Sequence, residues 1–136
     1  MNMQGKAAVV TGGASGIGFG IAQALIEKGC RVMIADIEEA KAQAAAEKLG
    51  DLGGDVRAQS WDVADYASVT RLADAAWAAF GDVNLVFNNA GVGASGNVID
   101  ADPKEFDWVL NVNLKGVWNG CSVFGKRFSA QPTDAV

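Results

Sequence analysis

Short β-branched apolar runs alternate with stretches whose apolar residues recur every three or four positions, and the alternation continues along nearly the whole chain. Residues 6–10 read as a buried strand, and Ile17, Ile21, Ala24 and Leu25 follow with helical spacing. Gly29 stands where a helix C-cap is expected, and residues 31–35 make a second strand closed by Asp36. Residues 38–49, rich in Ala, Glu and Lys, predict a surface helix that ends in the turn at 50–55. A third strand is expected over 56–61. Val69, Leu72, Ala73, Ala76, Trp77 and Phe80 then mark a helix stopped at Gly81, and residues 83–87 give a fourth strand.

Strands separated by helices of this length call for right-handed crossovers and a parallel sheet covered on both faces. The expectation is an α/β fold, a Rossmann-type doubly wound parallel sheet of strand order 3-2-1-4. Beyond Gly91 the pattern turns helical, first over 103–109, with Pro103 in the first turn behind Asp102 as cap. Leu110, Leu114, Val117, Cys121, Phe124 and Phe128 recur on one face, most of which is expected to pack on the sheet. Pro132 terminates that helix. No internal repeat or low-complexity linker interrupts the series.

The 136 residues suit a single domain. Half of them are hydrophobic, which argues against disorder. With 16 acidic against 11 basic side chains and no histidine, the net charge is −5. Nucleic-acid affinity rests on clustered Lys and Arg, so a nucleic-acid partner is disfavoured. Cys30 and Cys121 have no metal-like spacing and read as reduced thiols. No apolar run approaches the length of a membrane span, and residues 1–6 lead into the first strand without the features of a signal peptide. A cytoplasmic protein without a membrane partner is the expectation.

Chemistry concentrates at Thr11-Gly12-Gly13-Ala14-Ser15-Gly16-Ile17-Gly18, the elbow between the first strand and first helix. Free backbone N–H groups and the positive end of the helix dipole converge at such an elbow and favour a pyrophosphate. Gly12 can supply the tight turn, Gly16 removes a Cβ from the path of a phosphate, and Gly18 lets the helix lie close on the sheet. Ser15 is placed to cap the helix or to donate to a phosphate. Taken alone, such a glycine triplet is equally compatible with a purely structural turn.

The surrounding residues favour the dinucleotide reading. In a Rossmann unit a carboxylate after the second strand accepts from the adenosine ribose, about 20 residues beyond the glycines. Asp36 lies 18 residues past Gly18. Its charge would repel a 2′-phosphate, and Ile37 follows where a phosphate binder would want arginine, so NAD is expected over NADP. Asn88-Asn89-Ala90-Gly91 closes the fourth strand, at the edge where a parallel sheet opens its ligand crevice. One asparagine amide can both donate and accept there.

Together, Thr11 to Gly18 and the Asn-Asn-Ala-Gly tetrapeptide resemble the T-G-x-x-x-G-x-G and N-N-A-G signatures of the short-chain dehydrogenase/reductase family. The resemblance covers residues 6–128, and the glycine spacing does not fit the family's extended epimerases and reductases. It implies an NAD-dependent oxidoreductase that moves a hydride between a nicotinamide cofactor and a small alcohol or carbonyl substrate, with this chain supplying the cofactor-binding half. It further implies that Asp62 and Val63 contact the adenine. Asn89, Ala90 and Gly91 would line the adenosine ribose and nicotinamide side, while Asn88 ties strands together. Asn113 matches the catalytic asparagine of the family's proton relay, and 93–99 would contribute a wall of the substrate pocket. The long final helix would take part in a homo-oligomeric four-helix bundle.

One departure is large. The family's serine and Tyr-x-x-x-Lys follow a fifth strand, whereas the single tyrosine here is Tyr66, at the start of a helix on the other side of the sheet; the resemblance thus implies a sheet truncated before its fifth strand and a single domain, residues 1–136, incomplete at its C-terminus. Ser122 and Ser129 fall on the last helix, where neither replaces the family's serine. The 136 residues alone are therefore expected to lack dehydrogenase activity and to act, at the least, as a catalytically incomplete NAD-binding or oligomerisation module.

Overall fold

The computed structural model describes residues 2–132. Four parallel strands, β1 (Ala7–Thr11), β2 (Arg31–Asp36), β3 (Val56–Ser60) and β4 (Leu85–Phe87), form one sheet of order β3-β2-β1-β4. Three crossover helices connect them: α1 (Gly16–Glu27), α2 (Glu39–Gly50) and α3 (Tyr66–Phe80). After β4 come a short 3₁₀ turn at Val98–Asp100, α4 (Pro103–Leu110), a π-helical turn at Asn111–Lys115 and α5 (Gly116–Ala130). In register, Ala8 lies beside Val32 on one flank and Leu85 on the other, and Val32 lies beside Val56. This is the doubly wound order that the alternation of apolar runs predicts.

Both faces of the central strands are covered, which explains why β1 is apolar at every position up to Thr11. Ala7, Val9, Met33 and Ala35 turn toward α3 and α5 and share a core with Leu72, Phe80 and Phe124. Ala8, Val10, Val32 and Ile34 turn the other way, against Ala22, Leu25 and Leu49 of α1 and α2. Successive strand residues point to opposite faces, so a strand between two helical layers has no solvent side to mark with polar residues.

The helix boundaries follow local chemistry. Gly29 and Gly81 adopt φ of +80° and +81° where α1 and α3 end, a conformation that costs other residues a steric clash. Asp65 caps α3 by accepting from the N–H groups of Ala67 and Ser68, and Asp102 caps α4 by accepting from Lys104 N at 2.8 Å. Pro103 sits in the first turn as expected.

The structure departs from the sequence pattern in three places. The first strand runs one residue further than expected, through Thr11, and the third stops at Ser60 rather than 61. The fourth strand begins at Leu85 rather than 83: Gln131 Oε1 accepts from Val83 N at 3.2 Å and Nε2 donates to Val83 O at 2.9 Å, while at the next residue the Asn84 side-chain Oδ1 accepts from Ala7 N at 2.8 Å. The apolar stripe of the last helix is also corrected. The π-turn inserts an extra residue per turn, so Leu110, Leu114 and Cys121 face outward, Leu114 with 66% of its surface exposed. Gly116, Asn119, Gly120, Val123 and Phe124 take the inner face instead. Of the expected stripe, Phe124 is fully buried and Phe128 packs at the edge of the same core.

Among the described residues no helix is long and apolar enough to cross a membrane, and no cluster of His, Cys, Asp or Glu could hold a metal ion.

Candidate functional site

The carboxyl ends of β1, β2 and β4 open into a cleft of about 460 Å³. Its walls include Gly12, Ser15, Ile17 and Gly18 from the glycine turn, Asp36 and Ile37 from the end of β2, Asp62 and Val63 after β3, and Asn89, Ala90 and Gly91 after β4. Eleven sequence-singled residues thus converge from four segments of chain. A smaller depression of about 260 Å³ lies against β3, lined by residues such as Gln43, Ala46, Val56 and Ala75, and includes none of them.

The glycine turn is held by mutual exclusion of side chains. Gly12 has φ +63°, and a Cβ there would come within 2.8 Å of Ala90 Cα. A Cβ on Gly18 would overlap the Gly12 carbonyl oxygen and approach Asn89 Nδ2 to 2.6 Å. Gly18 therefore allows α1 to start directly beneath the turn and against the end of β4. Gly16 differs: at φ +53°, a Cβ there would meet nothing within 4 Å. Its open side is space that a bound group can enter. Ser15 occupies the N-cap position of α1 in extended conformation, yet its hydroxyl makes no capping bond. Of the two roles expected for Ser15, capping is thus not used, and the first N–H groups of α1 lack a side-chain partner. Free donors beside an open glycine fit a phosphate.

Asp36 is fixed from both sides. Its Oδ2 accepts from Ala14 N, and its Oδ1 accepts from Glu38 N, each at 3.2 Å. The carboxylate thereby joins the glycine turn to the turn after β2. Ile17 and Ile37 flank it with 77% and 65% of their surfaces exposed, which leaves apolar walls open to a ligand. Asp62 Oδ1 accepts from Ala64 N at 2.9 Å, and Asp62 N donates to Ser68 Oγ at 3.0 Å, so this turn too is braced by its own backbone. Val63 is buried, and its carbonyl accepts from Asn119 Nδ2 at 2.8 Å. Gly116 makes room for it, since a Cβ there would lie 2.8 Å from Val63 Cγ2.

The Asn-Asn-Ala-Gly segment assigns its amides differently from expectation. Asn89, rather than Asn88, ties the strands: its Nδ2 donates to Thr11 O at 3.1 Å and to Gly12 O at 3.3 Å. Asn88 instead faces α5, with Nδ2 at 3.6 Å from Cys121 Sγ. Thr11, which opens the glycine motif but was given no role of its own, is central here. Its Oγ1 accepts from Asn89 N at 3.0 Å and Ala90 N at 3.1 Å and donates to Phe87 O at 3.2 Å. A polar residue ending an otherwise apolar strand was the available signal.

Asn113 sits in the π-turn and does not itself line the cleft. Its Oδ1 accepts from Val92 N and its Nδ2 donates to Val92 O, both at 2.8 Å, and Val92 does line the cleft. Trp61, Trp108 and Val112 also contribute walls that the sequence did not single out. Residues 93–99 are exposed and lie outside the cleft wall.

Tyr66 meets Ser122 and Lys126 on the outer face of α3 and α5. Its Oη lies 3.5 Å from Ser122 Oγ and accepts from Lys126 Nζ at 3.2 Å. These bonds, Ser122 first and Lys126 second, hold the phenol below its ordinary pKa. None of the three residues lines the cleft.

Residues 6–133 match the short chain dehydrogenase family. The chain is 41% identical over 125 residues to the D-threitol dehydrogenase of Mycolicibacterium smegmatis, covering 92% of this chain and 48% of that protein. It is 40% identical over 130 residues to the NADP-dependent (R)-specific alcohol dehydrogenase of Lentilactobacillus kefiri, covering 95% and 49%. A short chain dehydrogenase/reductase of Burkholderia phymatum, solved in complex with NAD, superposes with a TM-score of 0.90 at 39% identity, covering 93% of this chain and 45% of that one. The chain thus spans about half the length of these relatives. With the family match spanning residues 6–133 and the likeness in sequence and fold covering more than nine-tenths of it, the chain belongs to the short-chain dehydrogenase/reductase family of oxidoreductases.

Proposed function

We propose that this chain forms the NAD-binding half of a short-chain dehydrogenase that interconverts a small alcohol and its carbonyl form. The observation that carries the reading is the position of Asp36, a doubly anchored carboxylate at the same cleft as the open Gly16 turn. In this reading the N–H groups at Gly16, Ile17 and Gly18 and the Ser15 hydroxyl receive the pyrophosphate. Asp36 accepts from the adenosine ribose hydroxyls and its charge disfavours a 2′-phosphate, with apolar Ile37 beside it. Asp62 and Val63 hold the adenine, and Asn89, Ala90 and Gly91 border the second ribose and the nicotinamide. Asn113 keeps Val92 in place and serves the proton relay. Bound NAD would supply the hydride acceptor.

Among named relatives, the Lentilactobacillus kefiri enzyme is NADP-dependent while the Burkholderia phymatum structure holds NAD, so the preference rests here on Asp36 and Ile37. The proton of the alcohol needs a base, and Tyr66 stands away from the cleft. The reading therefore treats residues 1–136 as one cofactor-binding domain whose acid–base partner lies outside them, consistent with a chain half the length of its relatives. Free Cys30 and Cys121 agree with a reducing cytoplasm.

Titration with NADH and NADPH, followed by quenching of Trp61 and Trp108 at the cleft wall, tests the proposal. Tighter NADH binding is expected. Equal or tighter NADPH binding refutes the NAD preference, and failure of both cofactors to bind refutes the site.

The outward Leu114 and Trp118 favour an added role in self-association. Sedimentation analysis should show a homo-oligomer, and a monomer at high concentration would remove that part of the reading.

A further inference from the structure

We infer that the Glu38–Lys41 ion pair is a second determinant of cofactor choice, withdrawing an ammonium group from any 2′-phosphate at the Asp36 end of the cleft. The inference rests on the proposed reading of that cleft as the NAD site. Glu38 lines the cleft beside Asp36 and Ile37, and its backbone N–H donates to Asp36 Oδ1, so residues 36–38 form one braced turn. One helical turn further on, Lys41 Nζ lies 2.7 Å from Glu38 Oε1. The hydrogen bond from Lys41 and the charge of Glu38 raise the lysine pKa, with Asp36 adding to the effect, so Lys41 stays cationic at neutral pH.

Two carboxylates and one tied ammonium leave this corner with a net charge of −1, which opposes an incoming phosphate. Without the Glu38 charge, the balance is neutral and Lys41 is free to turn toward a phosphate as a mobile point charge. Both side chains are more than half exposed, so the pair is a weak and reversible latch. The Glu38 side chain makes no capping bond to α2, and its replacement by glutamine leaves the helix start intact.

The decisive quantity is the ratio of NADPH to NADH affinity of the purified protein, measured by calorimetry at low salt. Glu38→Gln should raise that ratio about 1.5- to fivefold, the scale of one solvent-exposed ionic contact. The gain should shrink in high salt and disappear in the Glu38→Gln/Lys41→Gln double variant. An unchanged ratio in Glu38→Gln overturns the inference. So does a gain that survives in the double variant, because Glu38 would then act by repulsion alone. Loss of all cofactor binding by the unaltered protein is a different result, and it overturns the cofactor site itself.

Discussion

Asn113 and Val92, 21 positions apart in sequence, are joined by a reciprocal pair of 2.8 Å hydrogen bonds in which one side-chain amide satisfies both backbone groups of the other residue. The amide imitates a neighbouring strand at the point where β4 has ended and the chain leaves the sheet. It depends on the π-turn, which sets the Asn113 side chain toward the cleft-lining segment. Asn113→Leu removes both bonds at similar volume. Its cost should be about 1–3 kcal/mol, the net worth of two hydrogen bonds, read by urea denaturation. Hydrogen exchange should show faster exchange at the Val92 amide, with the β1 amides unaffected. Unaltered exchange at Val92 would show that the bond pair does not hold this segment.

Gly18 and Gly20 lie in the same helix and should respond in opposite senses to alanine. A Cβ on Gly18 overlaps the Gly12 carbonyl, which is backbone and can yield only by moving the turn. Gly18→Ala should destabilise the fold by about 1–3 kcal/mol, as overpacking does, and should abolish NADH binding. At Gly20 a Cβ meets nothing within 4 Å and the position is exposed. Gly20→Ala should stabilise by about 0.5–1 kcal/mol through the lower backbone entropy of the unfolded chain. Thermal denaturation of the two variants reads the sign directly, and equal shifts would contradict the close packing of α1 on β1.

Asp36→Ala should weaken NADH binding by about 1.5–3 kcal/mol, the range for hydrogen bonds to a charged group. That corresponds to roughly ten- to hundredfold in Kd. Part of the loss is indirect, since Ala14 N and Glu38 N also lose their acceptor. Asp36→Asn keeps an acceptor for one of them and should preserve more affinity for NADH while relaxing the exclusion of NADPH. Unchanged NADH affinity in Asp36→Ala would remove this residue as the ribose ligand.

What could be read from sequence was local. The glycine turn and Asp36 follow from residues near one another in the chain, where periodicity and turn chemistry act directly, and the strand order follows from the repeated alternation of strands and helices. Features that depend on a distant partner were not legible. Thr11 matters because Asn89 and Ala90, far along the chain, donate to its hydroxyl. Val83 stays out of β4 with its backbone bound by the returning Gln131. The outward turn of Leu114 could not be read from helical spacing, which assumes an unbroken 3.6-residue period, whereas the π-turn shifts the phase of everything after it. Which of two adjacent asparagines points at β1 was likewise decided by packing, since Asn88 fills the space that Gly120 leaves open on α5.

Tyr66 offers a test of the outer face of α3 and α5 that is independent of the cofactor. Hydrogen bonds from Ser122 and then Lys126 favour the phenolate and hold its pKa below the ordinary value of 10.0. The folded protein therefore releases this proton at lower pH than the unfolded chain. By linkage, the added stability is fully present above the unfolded pKa and is lost as pH falls through the lowered folded value. Because Tyr66 is the single tyrosine, its ultraviolet ionisation band reports one group. Lys126→Met should move that titration upward toward 10.0, and Ser122→Ala should do the same. In the unaltered protein, unfolding should bring an upward shift of the same band. A titration insensitive to both substitutions would show that α3 and α5 do not meet at Tyr66 in solution, and it would leave the NADH affinity of the cleft untouched.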